Sequence, residues 1–278
     1  MELPILFYKT VLLRPYVFVF LIVFLFASIV QIGRNRTLVF MGVTWLITFL
    51  CEYSSTRNGF PFGLYHYTGT TRGQELFFSN VPFFDSLSFT FLLFASYSMS
   101  LLTFSPIRVE KKNIRVLDTF EIRQSKRVLI LTALYMMMID VVIDPVALRG
   151  DQWFLGKIYY YENPGFFFGI PLTNAVGWAL VGFVSLWIYQ IIEKKYLSKP
   201  IPKKWDIPYQ SLMGVGLYYG VLLFMFSICI WMDEPFLLIA SAYIFLLPTA
   251  TLIFHCRDPK SRATQEEWKK HCENFPIT

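Results

Sequence analysis

Seven stretches of this chain are apolar enough, and close enough to the ~20 residues a bilayer requires, to cross a membrane as helices. They are residues 15–32, 37–51, 81–104, 128–143, 171–192, 211–231 and 235–255. Lipid offers the backbone no hydrogen-bond partner, so such runs become helices and not open sheet. With 55% hydrophobic and only 16% charged residues, little of the 278-residue chain remains for a separate soluble domain. The expected fold is all-α: one polytopic membrane helix bundle of about seven transmembrane helices over residues 1–256. Residues 257–278 are read as a polar cytoplasmic tail or short surface helix. The first run follows Lys9 and Arg14, like a signal peptide, but it is long and lacks a small-x-small cleavage site. A second run follows at once, so the first is read as a retained helix.

Charge sets the expected orientation. The segments joining the runs fall into two alternating sets. One contains Arg34, Arg36, Arg108, Lys111, Lys112, Arg115, Arg123, Lys126, Arg127, Lys194, Lys195, Lys199, Lys203, Lys204, Arg257, Lys260, Arg262, Lys269 and Lys270. The other contains only Lys9, Arg14, Arg57, Arg72, Arg149 and Lys157. Positive residues accumulate on the cytoplasmic side, which predicts an outer N-terminus and a cytoplasmic C-terminus; the expected location is a bacterial or archaeal cell membrane. Glu52, His66, Asp85, Asp140, Asp144, Asn174, Asp233 and Glu234 then share the outer side, among long loops rich in Gly, Pro and aromatic residues. Loops on a rigid scaffold are where sites gather.

Several function classes have no support. There is no Walker loop and no GxGxxG, and the basic balance has no nucleic-acid motif beside it. Cys51, Cys229, Cys256 and Cys272 show neither CxxC nor metal-ligand spacing, and the three histidines are scattered. No metal is expected.

The acids remain. A carboxylate inside or at the edge of a hydrocarbon span costs roughly 2.5–3.5 kcal/mol on insertion scales, so it is a functional candidate by default. Asp140 and Asp144 are four apart and project from one helix face. Pro145 disfavours helical backbone at the residue before it, so the helix is predicted to end near Asp144. A carboxyl kept neutral in such surroundings can act as a general acid; the plainer role is a cap, or a pair satisfied by Arg149 or loop amides. Glu52 either faces the bundle and shares a site with Asp140, or sits at the interface and pairs with Arg57. Asn174, just inside a helix that Pro171 starts, can orient a water or a carboxyl group, or serve loop backbone. His66 is isolated between Tyr65 and Tyr67. Asp85, Asp233 and Glu234 read as interfacial acids. The many aromatic residues suit a lipid-facing surface or core, and also a long polarizable polyene.

Two motifs carry a resemblance. Glu52, then Gly59-Phe60-Pro61-Phe62-Gly63, Tyr65, Tyr67 and Val81-Pro82, is similar to the first signature of the CruF-type carotenoid hydratases. Asp140, Asp144-Pro145, Ala147, Gly150, Trp153, Gly165, Gly169-Ile170-Pro171, Asn174 and Gly177-Trp178 resemble the second. Together they cover roughly residues 40–190. The resemblance implies a polytopic enzyme of carotenoid biosynthesis that adds water to the terminal double bond of an acyclic end group. Its partners would be the carotenoid, water and the bilayer, with other carotenoid enzymes as further candidates and no cofactor. For that reaction, acid–base logic makes Asp140 the expected proton donor, with Asp144, Glu52 or Asn174 positioning the water and Asp144 and Glu52 also catalytic; Asn174, His66, Tyr65, Trp153 and Trp178 are expected against substrate. A non-catalytic carotenoid or lipid carrier, or an assembly factor, is the alternative. A proton- or ion-coupled transporter fits less well, because no polar path continues through the other half of the spans. The chain departs from the family pattern at Phe83-Phe84-Asp85-Ser86-Leu87-Ser88-Phe89, at Leu155 and at Ala175, positions expected to shape the pocket.

Overall fold

A computed structural model describes residues 3–110, 113–201 and 207–275; Lys111, Lys112, Lys203 and Lys204 of the basic set lie outside the described residues. The helices are α1 (Leu3–Leu13), α2 (Pro15–Ile32), α3 (Arg34–Asn58), α4 (Phe83–Phe104), α5 (Phe120–Arg123), α6 (Lys126–Leu148), α7 (Leu172–Tyr196), α8 (Met213–Trp231), α9 (Pro235–Arg257) and α10 (Gln265–Asn274). Short strands β1 (Tyr65–Tyr67), β2 (Phe77–Phe78), β3 (Val81–Pro82), β4 (Ile107–Glu110), β5 (Asn113–Val116) and β6 (Tyr159–Tyr161) pair antiparallel as β1–β6, β2–β3 and β4–β5. Seven helices, α2, α3, α4, α6, α7, α8 and α9, are long and apolar enough to cross a membrane. The protein is an all-α polytopic bundle.

Helix α4 is its axis. Of its most apolar window 78% is buried, against 22% for α9, and it packs on α2, α3, α6 and α8. Its sequence explains why: Ser86, Ser96, Ser98, Ser100 and Ala95 are small, so neighbouring backbones approach closely, the usual device where lipid supplies no hydrophobic drive between helices. Some of its buried hydroxyls are satisfied at short range: Ser98 donates to the Phe94 carbonyl at 2.9 Å, and Ser100 accepts from Thr132 of α6 at 3.1 Å.

Three features differ from the sequence expectation. A short apolar helix, α1, precedes the first span. Helix α3 runs six residues beyond Glu52, to Asn58. Helix α6 does not stop at Asp144 but carries Pro145 within it and ends at Leu148. The last case has a clear cause. The missing N–H of Pro145 costs one bond, to the Val141 carbonyl, while the carbonyls of the added final turn find side-chain donors. Tyr159 Oη donates to the Asp144 carbonyl at 3.1 Å, Arg149 Nη1 to Pro145 at 3.0 Å and Trp153 Nε1 to Val146 at 3.1 Å.

The ends of the bundle differ in kind. At the end holding the N-terminus of α10, a capping box of Thr264 and Glu267 starts that helix. Its far end docks on the bundle, with Asn274 Oδ1 accepting from Phe120 N at 2.8 Å. Nearby, Glu193 is fully buried and bonded by Arg36 at 3.1 Å, Gln124 at 2.8 Å and Tyr189 at 3.1 Å. At the other end the loops fold over the helix termini and enclose a cavity.

That roof depends on two glycines. Gly59 ends α3 with φ of +79°, a left-handed cap for which its missing side chain suits it. The turn that follows is pinned by Phe62 N donating to the buried Ser55 hydroxyl at 2.9 Å. Gly177 of α7 lies under that turn: a Cβ there would sit 2.6 Å from Phe62 Cδ1 and 2.9 Å from the Pro61 carbonyl oxygen. Inside a helix, alanine is intrinsically preferred to glycine by about 0.8–1.0 kcal/mol. Gly177→Ala should nevertheless lower the thermal midpoint in detergent, whereas Gly216→Ala on α8, with nothing within 4 Å of the new Cβ, should leave it equal or higher. Equal midpoints for Gly177→Ala and the parent would refute the close packing described.

Candidate active site

The cavity has a volume of about 130 Å³. Its walls come from α2, α3, α4, α6, α7 and α8, and its roof from β1, β6 and the loop around Trp153. Most of the lining is aromatic or aliphatic. Glu52, Asp85, Asp144, Asn174, Arg14 and the roof tyrosines supply the polar surface.

One polar station joins α6 to α7. Asn174 lies in the first turn of α7, its backbone N–H bonded to the Pro171 carbonyl at 3.0 Å. Its side-chain amide donates to Asp140 Oδ2 and to Asp144 Oδ2, each at 2.7 Å. The amide has two hydrogens, and both are used. The two carboxyls are therefore held one helical turn apart by one group, but they are placed differently. Asp144 lines the cavity, whereas Asp140 is 2% exposed, is not among the lining residues, and has its Oδ1 buried without a hydrogen-bond partner among the described residues.

The second station is Glu52 on α3. It is 4% exposed and accepts hydrogen bonds from Ser86 Oγ, in the first turn of α4, and from Tyr67 Oη at 3.3 Å. The alternative pairing with Arg57 does not form: that guanidinium bonds the Tyr53 carbonyl at 2.8 Å and Asn80 at 2.9 Å, and stacks over the Tyr53 ring. Glu52 and Asp144 face the same cavity from different helices.

The roof follows from strand geometry. Successive residues of a strand point to opposite faces, and the register sets Tyr65 opposite Tyr161 and Tyr67 opposite Tyr159. All four tyrosines line the cavity. Burial pushes their hydroxyls well above the ordinary phenol range, so they remain neutral. The same alternation turns His66 the other way, against the ring of Tyr160 and with Nε2 2.7 Å from Glu162 Oε1. His66 is therefore not among the residues that line the cavity, unlike Tyr65, Trp153, Asn174 and Trp178. Trp178 stacks on Phe89 with ring centroids 4.2 Å apart. Trp153 has its indole N–H on the end of α6 and its ring against Tyr16.

Several lining groups escape a reading of the sequence. Arg14, between α1 and α2, is 2% exposed and reaches across to Asp85 of α4 and to Glu75, the latter with Nη2–Oε1 at 2.9 Å and Nε–Oε2 at 2.7 Å. Burial works against this charge, but Asp85 and Glu75 outweigh it and raise the guanidinium above its usual range. No local spacing reveals a contact between residues 61 or 71 positions apart. Two departures from the family signature do fall here: Asp85 and Leu155 line the cavity, and Ser86 holds Glu52. Ala175 is not among the lining residues. The roof tyrosines were legible in principle, since Tyr65-His66-Tyr67 and Tyr159-Tyr160-Tyr161 both place one face of a strand under the same residue type.

Comparison with known proteins fits this geometry. No solved structure matches the chain. A bisanhydrobacterioruberin hydratase from Haloarcula japonica is 28% identical over 158 residues, which is 57% of this chain and 46% of that protein. The chain thus spans about half the length of the curated relative it matches. The sequence model of the family described as carotenoid biosynthesis protein matches residues 13–248, a stretch that contains every residue lining the cavity. On that match, the chain belongs to the carotenoid biosynthesis protein family.

Proposed function

We propose that this protein is a hydratase that adds water across the terminal double bond of an acyclic carotenoid by acid catalysis in the cavity. Membership of the family supports a role in carotenoid biosynthesis, and the 28% identical relative is itself named a hydratase. The observation that carries the finer reading is the meeting of two separately held carboxyl stations, Asp144 with Asn174 and Glu52 with Ser86 and Tyr67, in a cavity otherwise lined by apolar and aromatic side chains.

In this reading the carboxyl group of Asp144 protonates the less substituted carbon of the terminal alkene. The π electrons form the new C–H bond and leave a tertiary cation on the adjacent carbon. Asp144 and not Asp140 is the donor, because Asp144 faces the cavity while Asp140 stands behind Asn174. Asp140 positions Asn174, and through it Asp144. The stacked rings of Trp178 and Phe89 face the cation and favour it by cation–π attraction. Water attacks the cation and forms the C–O bond, and the carboxylate of Glu52 takes its surplus proton. One proton has then passed from Asp144 to Glu52 and is returned through solvent at the interface. Addition of water changes no oxidation state overall and calls for no redox partner. A proton transfer of this kind from a positioned side chain is worth about 10²–10⁴-fold in rate.

The cavity end is oriented outward, with the C-terminus cytoplasmic, on the strength of the lysine and arginine distribution. Reporter fusions should read the C-terminus as cytoplasmic; an external C-terminus would reverse the orientation.

Expression in a bacterial host that makes lycopene should yield products heavier by one water. Unchanged lycopene beside abundant, folded protein would count against hydration of that substrate. Asp144→Asn should lower turnover by about 10²–10⁴-fold with the thermal midpoint retained. Asp140→Asn should cost less than Asp144→Asn, and the reverse order would return the donor role to Asp140. A polyene bound without turnover, unaffected by Asp144→Asn and Glu52→Gln, would instead mark a carrier or assembly protein.

A further inference from the structure

The two sides of the cavity are chemically unlike. Acids and Asn174 come from α3, α4, α6 and α7, while α2 and α8 contribute Val17, Phe20, Val221 and Met225, with Tyr16 as the one hydroxyl-bearing side chain of that wall. At that wall the two helices meet through rings. Tyr16 stacks on Phe224 at 5.1 Å and 20°, and Phe20 meets Phe224 edge-on at 5.7 Å. Their chain neighbours already face outward, Val19 being 58% and Leu223 63% exposed. One layer of side chains therefore separates the cavity from the lipid-facing surface at this seam.

We propose that the unreacted length of a polyene substrate leaves the cavity through the seam between α2 and α8 and lies in the bilayer, so that Phe20, Val221 and Met225 are specificity-determining residues. The proposal rests on the reading of the ligand as a long polyene whose end group alone reacts. A cavity of about 130 Å³ takes an end group and leaves the remaining chain outside. An exit through the roof would put that chain in water, at a cost of about 25 cal/mol for every Å² of apolar surface left exposed. An exit past α6 or α7 would lead it across Asp144 and Asn174. The α2–α8 seam combines a largely apolar inner wall with ring contacts between the helices, and the polar contact of Tyr16 is with the adjacent Arg14 and not across to α8.

The test is a comparison of substrate lengths. Val221→Phe enlarges a side chain of the cavity wall on α8, a helix that carries none of the acids. The purified variant is assayed with a full-length acyclic carotenoid and with a short acyclic alkene bearing the same end group, and its thermal midpoint is compared with the parent's. Expected is a fall in the long-to-short ratio of kcat/KM by about 10- to 200-fold, the range one misfitting apolar group commands. Met225→Ala, which shortens a side chain of the same wall, should not lower that ratio. An unchanged ratio with an intact fold, whether both substrates suffer or neither does, would overturn the proposal. Should the parent hydrate neither substrate, the hydratase reading fails by itself. Retention of the coloured polyene through purification then decides the path: loss of the visible band in Val221→Phe supports the seam, and its persistence overturns it.

Discussion

Two carboxyl groups lie buried side by side at the end of α6 because one amide holds both. Removing an acid from water is costly unless its oxygens find donors, and a membrane interior supplies few. The Asn174 amide spends its two hydrogens on Asp140 and Asp144, which ties the position of α7 to that of α6. The two helices can come that close because Gly182 of α7 offers no side chain to Met136 and Ala133. The next glycine towards the roof, Gly177, lets the turn at Pro61 and Phe62 settle on the same helix. Phe62 is thereby placed in the cavity wall, and the chain runs on into the strand that brings Tyr65 and Tyr67 over the acids. The position of the roof thus depends on one side-chain amide.

The spans and the acids could be read from the sequence because each rests on a large, local free energy: some twenty apolar residues in a row, and charged groups that lipid penalises. Spacing also put Asp140 and Asp144 on one face. Which of them meets the cavity was not legible, since that depends on where α7 sets Asn174. The end of α6 was misjudged for a related reason. Pro145 argues for a stop through the crowding it imposes on Asp144, yet the helix gains one more turn, whose terminal carbonyls are bonded by Tyr159, Arg149 and Trp153. Asp85 looked like one more interfacial acid because its partner, Arg14, lies 71 residues away. His66 sat within a family signature, yet strand alternation turns it from the cavity and keeps its two tyrosine neighbours.

The two ends of the bundle show that buried polar residues do not by themselves make a site. Around Glu193 the donors Arg36, Gln124 and Tyr189 close directly on the carboxylate, so charge is matched by protein and the cluster acts as a lock between α3, α7 and the segment before α6. At the other end the carboxyls of Glu52 and Asp144 are also held by protein donors, but each borders open volume. The residue types are similar; the difference is whether the groups are saturated by one another or turned towards a space that a ligand can fill.

The ion triad of Arg14, Glu75 and Asp85 has a consequence for what that space admits. Among the described residues that line the cavity, Arg14 is the only lysine or arginine, and two carboxylates already share its guanidinium. No unpaired cation is left on the wall to greet a phosphate or carboxylate. A prenyl chain still carrying a diphosphate would enter a site whose remaining ionisable walls are acids and phenols, with its own charge uncompensated. On the proposed reading, such a wall disfavours activated, anionic precursors and suits a neutral hydrocarbon.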